Sequence, residues 1–248
     1  MNTSNNTVLI TGGSAGIGLE IAKLLSEKGN HVIITGRDRA RLDAAASKLA
    51  HVTAIRFDVT NEADVDRLTA QIKTDFPELN VLINNAGNAY VQSVTEDQDT
   101  WKKADDEMNT NYIAVIRLTE KLLPQLRSQH AAAIINVTSI TAIAPSTSIL
   151  TYSASKAALR SYTQGLRLAL RDTSVQVYEL MPPLVDTAFS EDIGGKENGI
   201  APSVVAHDLI DALAKDVFEI HVGATAQVFE LAKKSPLAAL HALNGIAE

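Results

Sequence analysis

Between a short β-rich run, Thr7-Val8-Leu9-Ile10, and a stretch whose apolar residues Ile17, Leu19, Ile21, Ala22, Leu24 and Leu25 suit one face of a helix, the chain reads Thr11-Gly12-Gly13-Ser14-Ala15-Gly16-Ile17-Gly18. Glycine stands where a side chain would block a phosphate-bearing ligand, and the N–H groups opening the helix would face the anion. A tight glycine turn can be purely structural. Here it sits between a strand and a helix, and the pattern Thr-Gly-x-x-x-Gly-x-Gly arises in roughly 0.3% of chains shuffled from this composition. The turn therefore predicts a phosphate-binding strand-turn-helix unit.

The same alternation continues downstream. Strands are expected at His31–Thr35, Val52–Phe57 and Val81–Asn84, with helices at Asp38–Leu49 and Glu62–Phe76 between them. A long helix from about Asp99 to Leu126 follows, then strand Ala133–Val137, helix Tyr152–Arg171 and strand Val175–Met181; a helix, a short strand and a terminal helix finish the chain. This rhythm predicts an α/β class, Rossmann-like doubly wound fold, with a mainly parallel seven-stranded sheet and helices on both faces. No proline- or glycine-rich linker interrupts it, so residues 1–248 are expected to form a single domain. The stretch 182–202 lacks periodicity and contains Gly194, Gly195 and Gly199. It follows the carboxyl end of a predicted strand, where such sheets bind ligands, which suggests a mobile substrate loop; a plain surface loop is the alternative.

Composition narrows the function. A hydrophobic content of 46% with 21% charged residues fits a soluble globular protein, and no apolar run is long enough to suggest a membrane span. The polar start, Met1-Asn2-Thr3-Ser4-Asn5-Asn6, has neither the basic residues nor the apolar stretch of a secretion signal, which makes a cytoplasmic location the expectation. With no cysteine there is no disulfide, thiolate metal site or cysteine nucleophile. His207, His221 and His241 are scattered without metal-like spacing, so no metal is expected. A net charge of -7 argues against broad nucleic-acid binding and favours a small-molecule partner.

After the second strand, where a carboxylate commonly receives the adenosine ribose 2′-hydroxyl of NAD, the chain reads Thr35-Gly36-Arg37-Asp38. Arg37 offers a planar cationic fork to a 2′-phosphate and Gly36 leaves it room, so NADP(H) is the preferred cofactor. Asp38 could instead make the acidic contact, which keeps NAD(H) possible, or cap the next helix. Asp58, past the third strand, could accept from the adenine amino group or serve as a cap. Asn84-Asn85-Ala86-Gly87 ends the fourth strand with residues small enough for a ribose to approach closely, although it could also be an ordinary turn.

Tyr152 and Lys156 are four apart on a predicted helix and share a face. That spacing occurs in roughly one shuffled chain in four, so position has to carry the argument. Ser139, thirteen residues before Tyr152, follows the apolar run Ile134-Ile135-Asn136-Val137 and would sit at a strand end near the crevice. A phenol titrates near 10 and exchanges its proton at neutral pH only when its anion is stabilised. A lysine ammonium does that, an oxidised nicotinamide would add to it, and Ser139 would hold the substrate oxygen. The plain alternative for each residue is a cap, a solvated face or a satisfied core group.

Together these residues resemble the short-chain dehydrogenase/reductase (SDR) family over nearly the whole chain. The resemblance matches Gly12, Gly16 and Gly18 to its cofactor glycines, Asp58 to its adenine contact, Asn84 to Gly87 to its Asn-Asn-Ala-Gly element, and Ser139, Tyr152 and Lys156 to its catalytic set. Asn111, counted back from Leu123-Pro124, matches its helix asparagine, with Asn109 as the competing choice, and would hold the water of a proton relay to Lys156. It further implies that Lys156 binds the nicotinamide ribose, that Val185 and Thr187 meet the carboxamide side, and that Ser14, Ile17, Val59, Asn85, Ala86, Tyr152 and Pro182 complete the cofactor shell. Two departures stand out. Met181-Pro182-Pro183-Leu184-Val185-Asp186-Thr187 replaces the usual Pro-Gly, and Ala15 replaces a basic residue that some NADP-dependent members carry. The Pro-Pro variant and the Asn-Thr-Asn context resemble a bacterial branch found with D-alanylation loci of teichoic acids, a neighbourhood that implies no reaction.

The expected activity is reversible hydride transfer between NADP(H) and an alcohol/carbonyl pair, in a homodimer or homotetramer built on the long helices as in the family. Ala144, Pro145, Ile149, Leu150, Leu184 and Phe189 suggest an apolar substrate pocket, or simply core. The rival readings are a cofactor-binding regulatory or interaction protein, whose signature would be a broken catalytic set, and an oligomeric scaffold.

Overall fold

A computed structural model describes residues 1–246. Seven strands, β1 (Thr7–Ile10), β2 (His31–Gly36), β3 (Val52–Arg56), β4 (Leu79–Asn84), β5 (Ala132–Val137), β6 (Val175–Met181) and β7 (Glu219–His221), form one sheet in the order β3-β2-β1-β4-β5-β6-β7. Every pairing is parallel. The expected architecture is present, with a sheet that is wholly rather than mainly parallel.

Parallel strands covered on both faces read as continuous apolar runs, as Val8–Ile10, Val32–Ile34, Val81–Ile83 and Ala132–Ile135 do. Val8, Ile10, Val32, Ile34, Ile83 and Ile135 pack on one face against α1 (Gly16–Glu27) and α8 (Pro202–Ala214), through Ile21, Leu25, Val205 and Leu209. Leu9, Ile33, Leu82 and Ile134 pack on the other against α3 (Glu62–Asp75) and α5 (Ala114–Arg127), through Val65, Leu68, Leu118 and Leu122. Between α1 and α3 lies α2 (Arg39–Ala46).

Boundaries moved where burial overrode the sequence pattern. Strand β4 starts two residues earlier than expected, because Leu79 is buried and pairs with Thr7 across a register shift. The long helix is not uniform: α4 (Thr100–Met108) joins α5 through a π-helical turn at Asn109–Ile113. Segment 182–202, which lacks periodicity in the sequence, carries short local structure. It holds a 3₁₀ turn at Glu191–Ile193, the short helix α7 (Gly195–Asn198) and a parallel bridge from Val185 to Ile200. Its glycines serve close packing: a β-carbon on Gly199 would lie 2.4 Å from the Asp186 nitrogen, and one on Gly195 would lie 2.1 Å from Ser190 Oγ.

Helix α6 (Leu150–Ala169) precedes β6, and α9 (Ala224–Lys234) and α10 (Pro236–Leu243) follow β7. The strand order reverses between β1 and β4, so their following loops diverge and open a crevice at the carboxyl edge.

Candidate active site

The crevice, about 910 Å³, runs from the end of β2 past the glycine turn to α6 and the segment after β6. At its chemical end, hydrogen bonding continues past β5, with the Thr138 N–H donating to the Leu180 carbonyl at 2.9 Å. Ser139 then turns the chain: its Oγ accepts from the Thr141 N–H and from Thr141 Oγ1, both at 3.1 Å, which opens a 3₁₀ turn at Ile140–Ala142. Tyr152 lies in the first turn of α6 and Lys156 in the next, and both are buried. Lys156 Nζ donates to the Val137 carbonyl at 2.8 Å and stands 5.6 Å from the centre of the Tyr152 ring.

Burial acts on the pair in opposite directions, since it disfavours whichever form is charged. Burial pushes the Tyr152 phenol up to about 12; the adjacent Ser139 hydroxyl pulls it back, and the charge of Glu107 pushes it higher. Burial alone lowers the Lys156 ammonium to about 8. A lysine at that value can still be a cation at neutral pH and can pass a proton with little effort.

Asn111 is fully buried in the π-helical turn, whereas Asn109 is partly exposed. Its amide clamps Asn88, with Oδ1 accepting from the Asn88 N–H at 2.8 Å and Nδ2 donating to the Asn88 carbonyl at 2.8 Å and to Ser155 Oγ at 2.9 Å. Both amide donors are therefore engaged by protein. A β-carbon on Gly87 would lie 3.2 Å from Asn111 Oδ1 and 3.7 Å from Lys156 Nζ, so glycine lets both side chains approach the strand end closely.

At the other end, Gly12, Ser14, Gly16 and Ile17 face the crevice, as do Asp58, Val59, Asn85, Ala86, Gly87, Pro182, Val185 and Thr187. Gly18 does not line the crevice. Its β-carbon would lie 2.5 Å from both Asn85 Nδ2 and the Gly12 carbonyl, so its smallness lets helix, turn and strand close up. Asn85 Nδ2 donates to the Thr11 and Gly12 carbonyls at 3.0 and 3.1 Å, which fixes the turn. Gly16 has φ of +53°, the left-handed region that favours glycine.

Arg37 is exposed at the crevice, and the Asp38 carboxylate beside it accepts from the Arg41 N–H at 3.0 Å as the N-cap of α2. Arg41 also lines the crevice and was not anticipated. Its position five residues past Gly36 was visible in the sequence, but its direction depends on where α2 begins. Asp58 is not a helix cap. Asn61 caps α3, and one Asp58 oxygen accepts from the Thr60 N–H and hydroxyl at 3.0 and 2.7 Å.

A family model for short chain dehydrogenases matches residues 6–198, which takes in the glycine turn, the Asn-Asn-Ala-Gly element and the Ser139, Tyr152 and Lys156 cluster. The chain belongs to the short chain dehydrogenase family. It is 40% identical over 224 residues to an uncharacterised oxidoreductase of Bacillus subtilis (strain 168), DltE, with 89% of each chain covered. It is similar to a crystal structure of a short chain dehydrogenase from Burkholderia cenocepacia J2315 in complex with NADP, with TM-score 0.86, 30% identity and 98% of both chains covered. A short-chain dehydrogenase from Sphingobium yanoikuyae in complex with NADPH is similar at TM-score 0.80 and 25% identity, over 94% of this chain and 95% of that one. The protein is thus an oxidoreductase of this family, and its likeness to the D-alanylation-associated branch is borne out by the Bacillus relative.

The end of the crevice beside Tyr152 is more polar than the sequence suggested. Ile149, Leu184 and Phe189 line the crevice, but Ala144, Pro145 and Leu150 do not. The Phe189 ring lies 6.0 Å from that of Tyr152. Ser146, Ser148, Asn88 and Asp106 are there too, with Leu243 arriving from α10. No local motif marks them, because loops far apart in sequence bring them together. Among the described residues, no helix is long and apolar enough to cross a membrane.

Proposed function

We propose that the protein is an NADP(H)-dependent oxidoreductase that interconverts an alcohol and a carbonyl compound, with Tyr152 exchanging the substrate proton. The observation that carries this reading is the buried Lys156 ammonium, 5.6 Å from the Tyr152 ring centre and, among the described residues, offset by no carboxylate. A cation placed there favours the phenolate, the form that must exist transiently if Tyr152 is to give up its proton.

The donor set suits a dinucleotide. The opening turn of α1 offers backbone N–H groups to its phosphates, and Asn85 to Gly87 leave room for the nicotinamide ribose. Arg37 and Arg41 would hold a 2′-phosphate, while Asp38 is occupied as a cap. Bound there, the nicotinamide supplies or accepts hydride.

The protein's own residues do the rest. Ser139 Oγ hydrogen-bonds the substrate oxygen and aligns the carbonyl. Tyr152 donates its phenolic proton to that oxygen in reduction and takes it back in oxidation. Lys156 steadies the phenolate and, anchored on the Val137 carbonyl, keeps its place beside Tyr152. Asn111 holds the Asn88 backbone so that Gly87 stays open beside Lys156. Residues 1–248 would act as one domain, with 182–202 as the substrate-side wall. Exposed Ile113 on the π-helical turn and Leu168 on α6 offer faces for a homodimer or homotetramer.

The test is a fluorescence titration with NADPH and NADH, followed by a carbonyl panel read as NADPH consumption. NADPH should bind more tightly and be consumed with at least one carbonyl. The Arg37→Ala variant should weaken NADPH by roughly tenfold and leave NADH nearly unchanged, in line with the loss of an exposed charge-assisted hydrogen bond. Equal losses for both cofactors would reject the 2′-phosphate role of Arg37.

A further inference from the structure

Helix α6 brings a second cationic side chain, Arg160, to the end of β5. Tyr152, Lys156 and Arg160 recur every four residues along it and share one face. The residues they serve are consecutive. Ser139 adjoins the Tyr152 phenol, the Val137 carbonyl receives Lys156 Nζ at 2.8 Å, and Thr138 between them is tied to Arg160 through Glu179.

Glu179, in β6, is fully buried. Its Oε1 accepts from Thr138 Oγ1 at 2.7 Å and its Oε2 from Arg160 Nη1 at 3.0 Å. The Arg160 side chain is 15% exposed; Nη2 lies 3.7 Å from Glu219 Oε2, and the guanidinium lies 5.7 Å from the centre of the Phe229 ring. Desolvating such a pair is expensive, and apolar replacements of buried ion pairs are often neutral or stabilising, so stability alone does not explain it. The proposed reaction does not otherwise use it.

We infer that Glu179 and Arg160 are positioning residues: together they pin Thr138, and so Ser139, against α6, and Glu179 neutralises a cation one helical turn from Lys156. The inference rests on reading Tyr152 and Lys156 as the proton-transfer pair. Facing Arg160 are Glu179 on β6 and Glu219 and His221 on β7, with Glu230 and Lys233 of α9 beyond His221. Facing Tyr152 are Ser139 and Glu107 of α4.

The experiment is an NMR titration of the lysine side-chain ¹³Cε signals in labelled, cofactor-free protein, with Lys156 assigned by its loss in Lys156→Met. The Glu179→Gln variant removes the buried carboxylate from Arg160, leaving Glu219 at 3.7 Å as its acidic partner, and should lower the Lys156 midpoint by at least about half a pH unit. The Arg160→Gln variant leaves a bare carboxylate and should raise it by a similar amount. The double variant should return it to the native value. Unchanged midpoints in folded single variants, or shifts of the same sign in both, would overturn the inference. Should Glu179→Gln not fold, Arg160→Gln carries the test alone through the sign of its shift. No turnover is needed, so failure here is distinct from failure to bind NADPH or to reduce a carbonyl.

Discussion

Burial lowers the Lys156 ammonium from its ordinary 10.5 to about 8 because desolvation disfavours its charge. Holding that cation inside costs folding on the order of 3 kcal/mol at neutral pH, at about 1.4 kcal/mol for each tenfold change in proton affinity. Between the folded value and the unfolded one the unfolded chain binds more protons, so the native state gains stability as pH rises from about 8 to 10.5. Lys156→Met should therefore be more stable than native at pH 7, by about 1–3 kcal/mol, and its advantage should shrink by pH 9.5. Urea melts at the two pH values measure this; a variant that is less stable at pH 7, or whose difference does not change with pH, would contradict it. Tyr152, Lys156 and Ser139 were legible because a strand end and a helix start fix where such residues lie. Arg41 was not, since its direction depends on the first turn of α2, which Asp38 sets by capping it.

At the scale of elements, buried polar links join α6 to the sheet. Asn84 Nδ2 donates to Asn136 Oδ1 at 2.8 Å, and Asn136 Nδ2 donates to Thr163 Oγ1 at 2.9 Å, so β4, β5 and α6 hold one register. The β and α periods were readable from apolar spacing, because the central strands are buried on both faces and most helices on one. The π-helical turn was not readable, since widening a helix by one residue barely alters that spacing. The short helical pieces of segment 182–202 were not readable for a related reason: its glycines signal close approach as readily as freedom, and only tertiary contacts distinguish the two. Gly199→Ala would put a β-carbon 2.4 Å from the Asp186 nitrogen and break the fit around the Val185–Ile200 bridge. Limited proteolysis should then cut the segment faster, and thermal melts should show a loss of about 1–3 kcal/mol. Unaltered cleavage and stability would contradict that packing role of Gly199.

Across the whole molecule, one topological fact organises the site. The reversal of strand order between β1 and β4 opens the crevice, with the glycine turn and Arg37 toward one end and Ser139, Tyr152 and Lys156 toward the other. The alternation of strands and helices made that arrangement predictable. The substrate was not predictable, because Asn88, Ser146, Phe189 and Leu243 come from four separate segments and meet only in the folded protein. Proton exchange at Tyr152 coupled to hydride transfer at a bound nicotinamide is the central claim. It is tested most directly by comparing Tyr152→Phe with native protein on the fastest carbonyl of the panel, alongside NADPH titrations of both. NADPH should bind the variant within about tenfold of native, the difference one hydroxyl hydrogen bond makes, and kcat of the variant should fall by about 10²–10⁴-fold; a variant that binds NADPH and keeps the native kcat would contradict the account.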